Sequence, residues 1–396
     1  MVLAKDADEM DTLYVQNVYL TRNDPKGLIK PGSIKAIRVN ALGVQPRADR
    51  ALLSATVPVE IPKKVLGTVP VDANGSACFK VPARVALQMQ IIGEDGMAIL
   101  TEKSFFYLQP GEKRGCVGCH ETSGVTPPSE NYARGMAPME LKPGAGPQYK
   151  GGLSFMRTVQ PVLDRYCISC HGLDEQKKVI SLVHDGKMEW PQSFQELVTR
   201  GDHRIGEAGY MWGERNFSRP YEYFACSNKV ARMLVKNHSN VNMDRDSYMR
   251  VIEFMDLNAQ CYGDLFPNKP EQRQIDAKAL AELRVYIKEL FGEKLAAQPE
   301  RALINTVQVD ESRILMAPLA SAAGGWGQIK GWPDKNEPGF QKMQQLVEKC
   351  IIRSPTENNN GWEPTLEQGG GEKWVVEEQQ KYLKQIDAKR NAAKGK

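Results

Sequence analysis

The sequence predicts an α+β chain: an N-terminal antiparallel β-sandwich followed by a mainly helical c-type cytochrome domain. Three observations predict it. Short β-branched and aromatic runs recur over residues 12–110, helical periods follow after residue 153, and a CxxCH motif occurs twice between and within these regions.

The β-region contains the runs TLYVQNVYL, SIKAIRVNAL, ALLSATVPVEI, ACFKVPA, VALQMQIIG and SFFYLQPG. Turn signals separate them at Asn23-Asp24-Pro25, Pro31-Gly32, Asn74-Gly75 and Asp95-Gly96. Val, Ile, Tyr and Phe fit a pleated, half-buried surface while Pro and Gly interrupt it, so this spacing reads as a sandwich of about a hundred residues. The first CxxCH is expected to follow the last strand rather than belong to the sandwich.

Residues 122–152 are rich in Pro and Gly and read as an irregular connection. Pro161 suits the first turn of a helix through Val162, Leu163 and Tyr166. Tyr248, Val251, Ile252 and Met255 share one face of a helix over 246–258, and Leu280, Leu283, Ile287 and Leu290 do so over 277–291, with Gly292 as its stop. A further helix is expected near 340–350, and the charged tail after 375 is expected to be helical and frayed. The divisions are therefore 1–115 (β-sandwich), 116–152 (first motif and connection), 153–350 (helical domain) and 351–396 (C-terminal extension).

Composition excludes several functions. A net charge of +4 over 396 residues, with no basic cluster interleaved with aromatics, argues against a nucleic-acid surface. No run of eighteen apolar residues occurs, so no transmembrane segment is expected. The start, MVLAKDADEMDTLYV, lacks the basic and apolar regions of a secretory signal.

The chemistry lies in Cys116-Val117-Gly118-Cys119-His120 and Cys167-Ile168-Ser169-Cys170-His171. Two thiols three positions apart can add to the two vinyl groups of one haem, and the adjacent histidine reaches the iron from the same side. A shared four-cysteine zinc site, a thioredoxin-like dithiol and a pair of structural disulfides explain the spacing less well. The first leaves both histidines unused, the second needs a βαβ context that is absent, and the third closes a strained loop. Two covalently bound haem c groups are the reading, with His120 and His171 as proximal ligands. Such haems are attached outside the cytoplasm, so the chain is expected to be a mature form, part of a longer precursor or half of a split protein.

The sixth ligand decides between electron transfer and substrate chemistry. Only His184, His203 and His238 remain. His238 follows the short amphipathic stretch Val230, Met233, Leu234 and is the candidate for the second haem, with Met233 and Met243 competing. For the first haem, His184 and His203 are distant and Met136 and Met139 nearer, and none is a persuasive ligand, which points to an open iron. Of the remaining cysteines, Cys78 reads as a buried hydrophobe, and a Cys226–Cys261 bridge is one of three full pairings of Cys78, Cys226, Cys261 and Cys350. Gly324-Gly325-Trp326-Gly327 lacks the Lys-Ser/Thr of a phosphate loop and reads as a tight turn.

Several stretches together carry a resemblance: FKVPARVALQMQIIGEDGMAI, LQPGEKRGCVGCHE, VQPVLDRYCISCHG, ARMLVKNHSNVNMDRDSYMRVIEFMDLNAQCYG and ILMAPLASAAGGWGQ. Over residues 12–350 the chain resembles the middle and C-terminal domains of the hydrazine synthase alpha-subunit family. The resemblance implies a catalytic first haem on Cys116, Cys119 and His120, where hydroxylamine condenses with ammonia, and a bis-histidine second haem on Cys167, Cys170 and His171. It implies that His238 lies in the segment supplying the distal ligand. It further implies other redox subunits of a multi-subunit complex as partners, small nitrogen compounds as substrates, and a periplasmic or anammoxosome-lumen location. Two departures stand out: the family's N-terminal propeller has no counterpart in these 396 residues, and Gly124 stands where the synthase carries a tyrosine. The alternatives are an electron-transfer dihaem cytochrome without turnover, and a binding module whose sandwich docks a partner.

Overall fold

The computed structural model describes residues 10–43, 62–102, 104–119, 132–172, 179–186, 191–198, 219–263, 270–355 and 357. His120, His203, the run at 51–61 and the charged tail lie outside the described residues.

The described strands of the N-terminal part are β1 (Met10–Val15), β2 (Ala36–Leu42), β3 (Lys63–Pro70), β4 (Ala77–Pro82), β5 (Ala86–Ile92), β6 (Ala98–Thr101) and β7 (Lys113–Cys116). They form two sheets, ordered β4-β1-β7 and β3-β2-β5-β6. One apolar cluster joins the sheets, with Leu13, Phe79 and Val81 from the first and Ile37, Val69, Leu87 and Leu100 from the second. Together with the helices below, this makes the chain α+β.

The strands depart from expectation in three places. β3 forms over KKVLGTVP, whose alternation buries Val65 and Val69 while its lysines and proline disguise it. SFFYLQPG is not a strand: it contributes one bridge, Phe106 to Leu87, and leaves Phe105 and Tyr107 exposed to solvent. β7 pairs with β1 in parallel, with Val15 opposite Cys116. The first motif therefore begins inside a sheet, and a boundary drawn at residue 115 cuts a strand. The connection is also less irregular than its composition suggests. Met139 bridges Phe79 and Lys142 bridges Thr68, so it straps both sheets. Gly67 permits this, because a methyl there would strike the Lys142 carbonyl.

Most of the helices are those expected, with recognisable stops and starts. α1 (Gln160–Tyr166) carries Pro161 in its first turn, and α2 (Gln192–Val198), which is not among those expected, follows. α3 (Lys229–Val235) and α4 (Arg245–Asp256) are capped by Asn228 and Asp244, which accept from Val230 and Ser247 N–H groups. α5 (Ala277–Phe291) starts at the Asp276 cap and ends at Gly292, whose φ is 87°; α6 (Pro338–Cys350) packs against it.

This helical region holds two cores rather than one. Phe155, Phe194 and Phe254 centre the first, which also takes in Val65 and Met97 from the β-region; Leu283, Ile287, Met343 and Val347 belong to the second. The turn after Ala320 is tight, and a side chain on Gly325 would meet the Leu319 carbonyl. No disulfide joins any of the eight cysteines, so the Cys226–Cys261 bridge does not form. Among the described residues no helix is long and apolar enough to cross a membrane.

Candidate functional site

The second motif lies at the end of α1. Cys167 caps that helix, its N–H donating to the Leu163 carbonyl, and the His171 N–H returns to the Cys167 carbonyl at 2.9 Å. The turn thus presents Cys167, Cys170 and His171 to one cavity of ≈ 380 Å³. Apolar groups from separate elements line it: Leu163 from α1, Leu197 from α2, Met233 from α3, Val251 and Phe254 from α4.

His238 reaches the same cavity from the turn after α3, so residues sixty-seven positions apart in sequence share one lining. The His171 and His238 ring centroids are 6.3 Å apart, with planes inclined by 36°. His171 and His238 are the two imidazoles that could hold one metal from this cavity. Met233 and Met243 also line the cavity, but His238 is the ring in contact with His171.

The two histidines are held differently. His171 Nδ1 lies 3.0 Å from the Ile180 carbonyl, which only accepts, so Nδ1 carries the proton and Nε2 is left as the donor to a metal. Among the described residues His238 Nε2 has one partner, Ser239 Oγ, at 3.5 Å. Asn237, Ser239 and Asn240 are all left-handed, at φ 56°, 52° and 59°.

Two features of this site were not legible from the motif. Asp244 ties α1 to α4, accepting from Arg165 Nη1 and the Tyr166 hydroxyl, each at 2.8 Å. Asp164, three residues before Cys167, is buried, and burial pushes its carboxyl up to about 7 although Gln160 Nε2 donates to it at 2.8 Å. Burial likewise pushes the Cys167 thiol up to about 12.

The first motif has a different setting. Cys116 ends β7, and the Cys119 N–H donates to the Leu20 carbonyl at 2.9 Å. Both cysteines border a cavity of ≈ 320 Å³ lined by Arg22, Met89, Glu102, Phe106 and Arg114. Met136 and Met139 face elsewhere: Met136 Sδ is 3.7 Å from Ser76 Oγ, and Met139 packs on the sheet core. The methionine that does line the cavity, Met89, sits on β5 as part of an ordinary strand alternation, which gives it no signal in sequence.

His184 lies in neither cavity's lining. It is 3% exposed, its Nδ1 accepts from the Gly186 N–H at 2.9 Å, and burial lowers it to about 3, so it is a neutral packed histidine. Cys78 is buried on β4. Among the described residues no group of three or more His, Cys, Asp or Glu side chains is placed to hold a bare metal ion.

Comparison with known proteins bears on the β-region. Residues 32–121 match the family described as "Hydrazine synthase alpha subunit middle domain". Among solved structures, "Kuenenia stuttgartiensis Hydrazine Synthase" matches with 18% identity and a TM-score of 0.48, over 66% of this chain and 45% of that one. The chain thus spans less than half the length of that relative. No curated protein matches.

Proposed function

We propose that this chain, whose residues 32–121 belong to the hydrazine synthase alpha-subunit middle-domain family, is a redox subunit carrying two covalently bound haem c groups. Cys116, Cys119 and His120 would hold the first, and Cys167, Cys170, His171 and His238 the second. The observation that carries the reading is the His171–His238 pair, 6.3 Å apart across an apolar cavity bordered by both motif cysteines. Haem bound there supplies a one-electron couple. His171 and His238 would both hold its iron, in a largely apolar lining that includes Leu163, Leu197, Val251 and Phe254. Such a centre relays electrons.

The first motif is the substrate site in this reading. Hydroxylamine and ammonia would combine there, NH2OH + NH3 → N2H4 + H2O: the N–N bond forms, the N–O bond breaks, and the hydroxyl leaves as water with a proton from ammonia. The condensation needs no net electrons, so the relay serves the reduction that makes hydroxylamine from nitric oxide in a partner subunit. The two-sheet region would be a sandwich against which other redox subunits dock, in the periplasm or anammoxosome lumen. Gly124, in place of the synthase tyrosine, favours the second reading, an electron-transfer dihaem cytochrome without turnover.

Haem content and spectra test the assignment. Two haems per chain are expected, one of them low-spin in the ferric state and converted to high-spin by His171→Ala or His238→Ala. One haem, zinc, or a low-spin signal indifferent to both variants would overturn it. Hydrazine from hydroxylamine and ammonium, with candidate partner subunits added, separates the two functions: absence of product leaves only electron transfer.

A further inference from the structure

We infer that the second centre is closed on one side only: His238 is a displaceable ligand, and a small neutral diatomic molecule such as carbon monoxide or nitric oxide can take its place. This rests on the haem assignment above. Three observations carry it. First, the two histidines are unequally anchored. His171 donates from Nδ1 to the Ile180 carbonyl at 3.0 Å, whereas among the described residues the His238 ring has one long hydrogen-bond partner, Ser239 Oγ, 3.5 Å from Nε2.

Second, the loop presenting His238 is held in an unfavourable shape. Asn237, Ser239 and Asn240 have φ of 56°, 52° and 59°. Asparagine tolerates this region, but serine does so at a cost, so the turn gains by relaxing.

Third, there is somewhere for the imidazole to go. On the other side of His238 lies a second cavity, also ≈ 380 Å³, lined by Asp95, Asn237, Asn242, Arg245 and Tyr248. Leu234, His238, Val241 and Met243 line both cavities and form the partition between them. The imidazole would swing from an apolar chamber into one whose lining, Asp95, Asn237, Asn242, Arg245 and Tyr248, offers hydrogen-bonding groups. The space it leaves is apolar, which suits an uncharged diatomic ligand and disfavours an anion.

Carbon monoxide mixed with the reduced, full-length holoprotein tests this. A ligand that must wait for His238 to leave gives a binding phase whose rate levels off as carbon monoxide rises. That phase is expected in the wild type, and His238→Ala should make it linear in carbon monoxide. Ser239→Gly removes both the strain and the competing hydroxyl, and should slow the levelled rate roughly tenfold. Imidazole added to His238→Ala should restore the low-spin ferric spectrum, which shows that the variant is folded and its iron accessible. If His238→Ala instead adds a binding phase that the wild type lacks, His238 is a fixed ligand and the inference fails. A ferric spectrum with no bis-histidine signal would mean that the haem assignment itself had failed.

Discussion

The Arg38 guanidinium on β2 lies 2.8 Å from the Asp256 carboxylate at the end of α4, with both side chains wholly buried. Arg38 also donates to the Gln90 side-chain carbonyl at 3.1 Å and the Gly96 carbonyl at 2.9 Å. Asp256 accepts from the Ala98 and Ala225 N–H groups at 2.9 and 3.2 Å. The pair thus welds the larger sheet to the helix that supplies Val251 and Phe254 to the second cavity. Removing one partner leaves a buried charge, so Arg38→Met or Asp256→Asn is expected to cost about 3–5 kcal/mol in denaturant unfolding. Arg38→Met with Asp256→Leu should recover only part of that loss, since the buried Glu253 carboxylate, 3.9 Å from Arg38 Nε, and the Ala98 and Ala225 N–H groups then lose a partner.

The Asp164 carboxyl sets a pH dependence. Burial raises it to about 7 in the folded chain, from an ordinary value of 3.8. Between those values the folded state holds a proton that the unfolded state has released, so stability falls as pH rises from about 4 to about 7. Asp164→Asn should be nearly neutral at pH 4 and stabilising at pH 8, by roughly 4 kcal/mol at most. Denaturation midpoints of both proteins across that range check the slope.

His184 works in the opposite sense. Burial lowers it to about 3, so below its ordinary 6.5 the unfolded state binds a proton that the fold refuses. Its contribution is whole above about pH 6.5 and is lost as pH falls towards 3. His184→Asn, which cannot charge, should flatten the acid limb of the stability curve while losing the packing of the ring.

Much of this was legible in the sequence, and the boundary between what was and what was not is physical. Helices whose contacts are local announced themselves: Pro161 and Gly292 mark ends through chemistry within a few residues. The His171–His238 pairing was also within reach, because the motif names one partner and few histidines remain. Arg38 with Asp256 was not, since nothing local to either residue signals a partner 218 positions away. β3 was hidden because Lys63 is buried despite its charge. SFFYLQPG misled because strand-like residues can also face solvent.

The two CxxCH motifs should respond differently to a change at the residue before the second cysteine. A methyl on Gly118 would collide with the Leu20 carbonyl, the group that accepts from the Cys119 N–H. Ser169, its counterpart, is exposed at the end of α1. Gly118→Ala is therefore expected to destabilise the chain by about 2 kcal/mol and to lower haem occupancy at the first motif. Ser169→Ala should change neither. Haem quantification beside denaturation curves distinguishes the two.

The axial position of His238 also controls the potential of the second centre. Methionine is a weaker donor to ferric iron than imidazole, and His/Met ligation raises a haem potential relative to bis-histidine. His238→Met introduces an apolar side chain that suits the lining formed by Leu234, Val241 and Met243. A redox titration should therefore show one of two midpoints moving upward by on the order of 0.1 V, a fraction of the ≈ 0.8 V that axial ligands span. The ferric protein should remain low-spin, unlike His238→Ala. A midpoint that stays in place would mean that Met233 or Met243 already occupies the iron and that the 6.3 Å separation of the two rings is incidental.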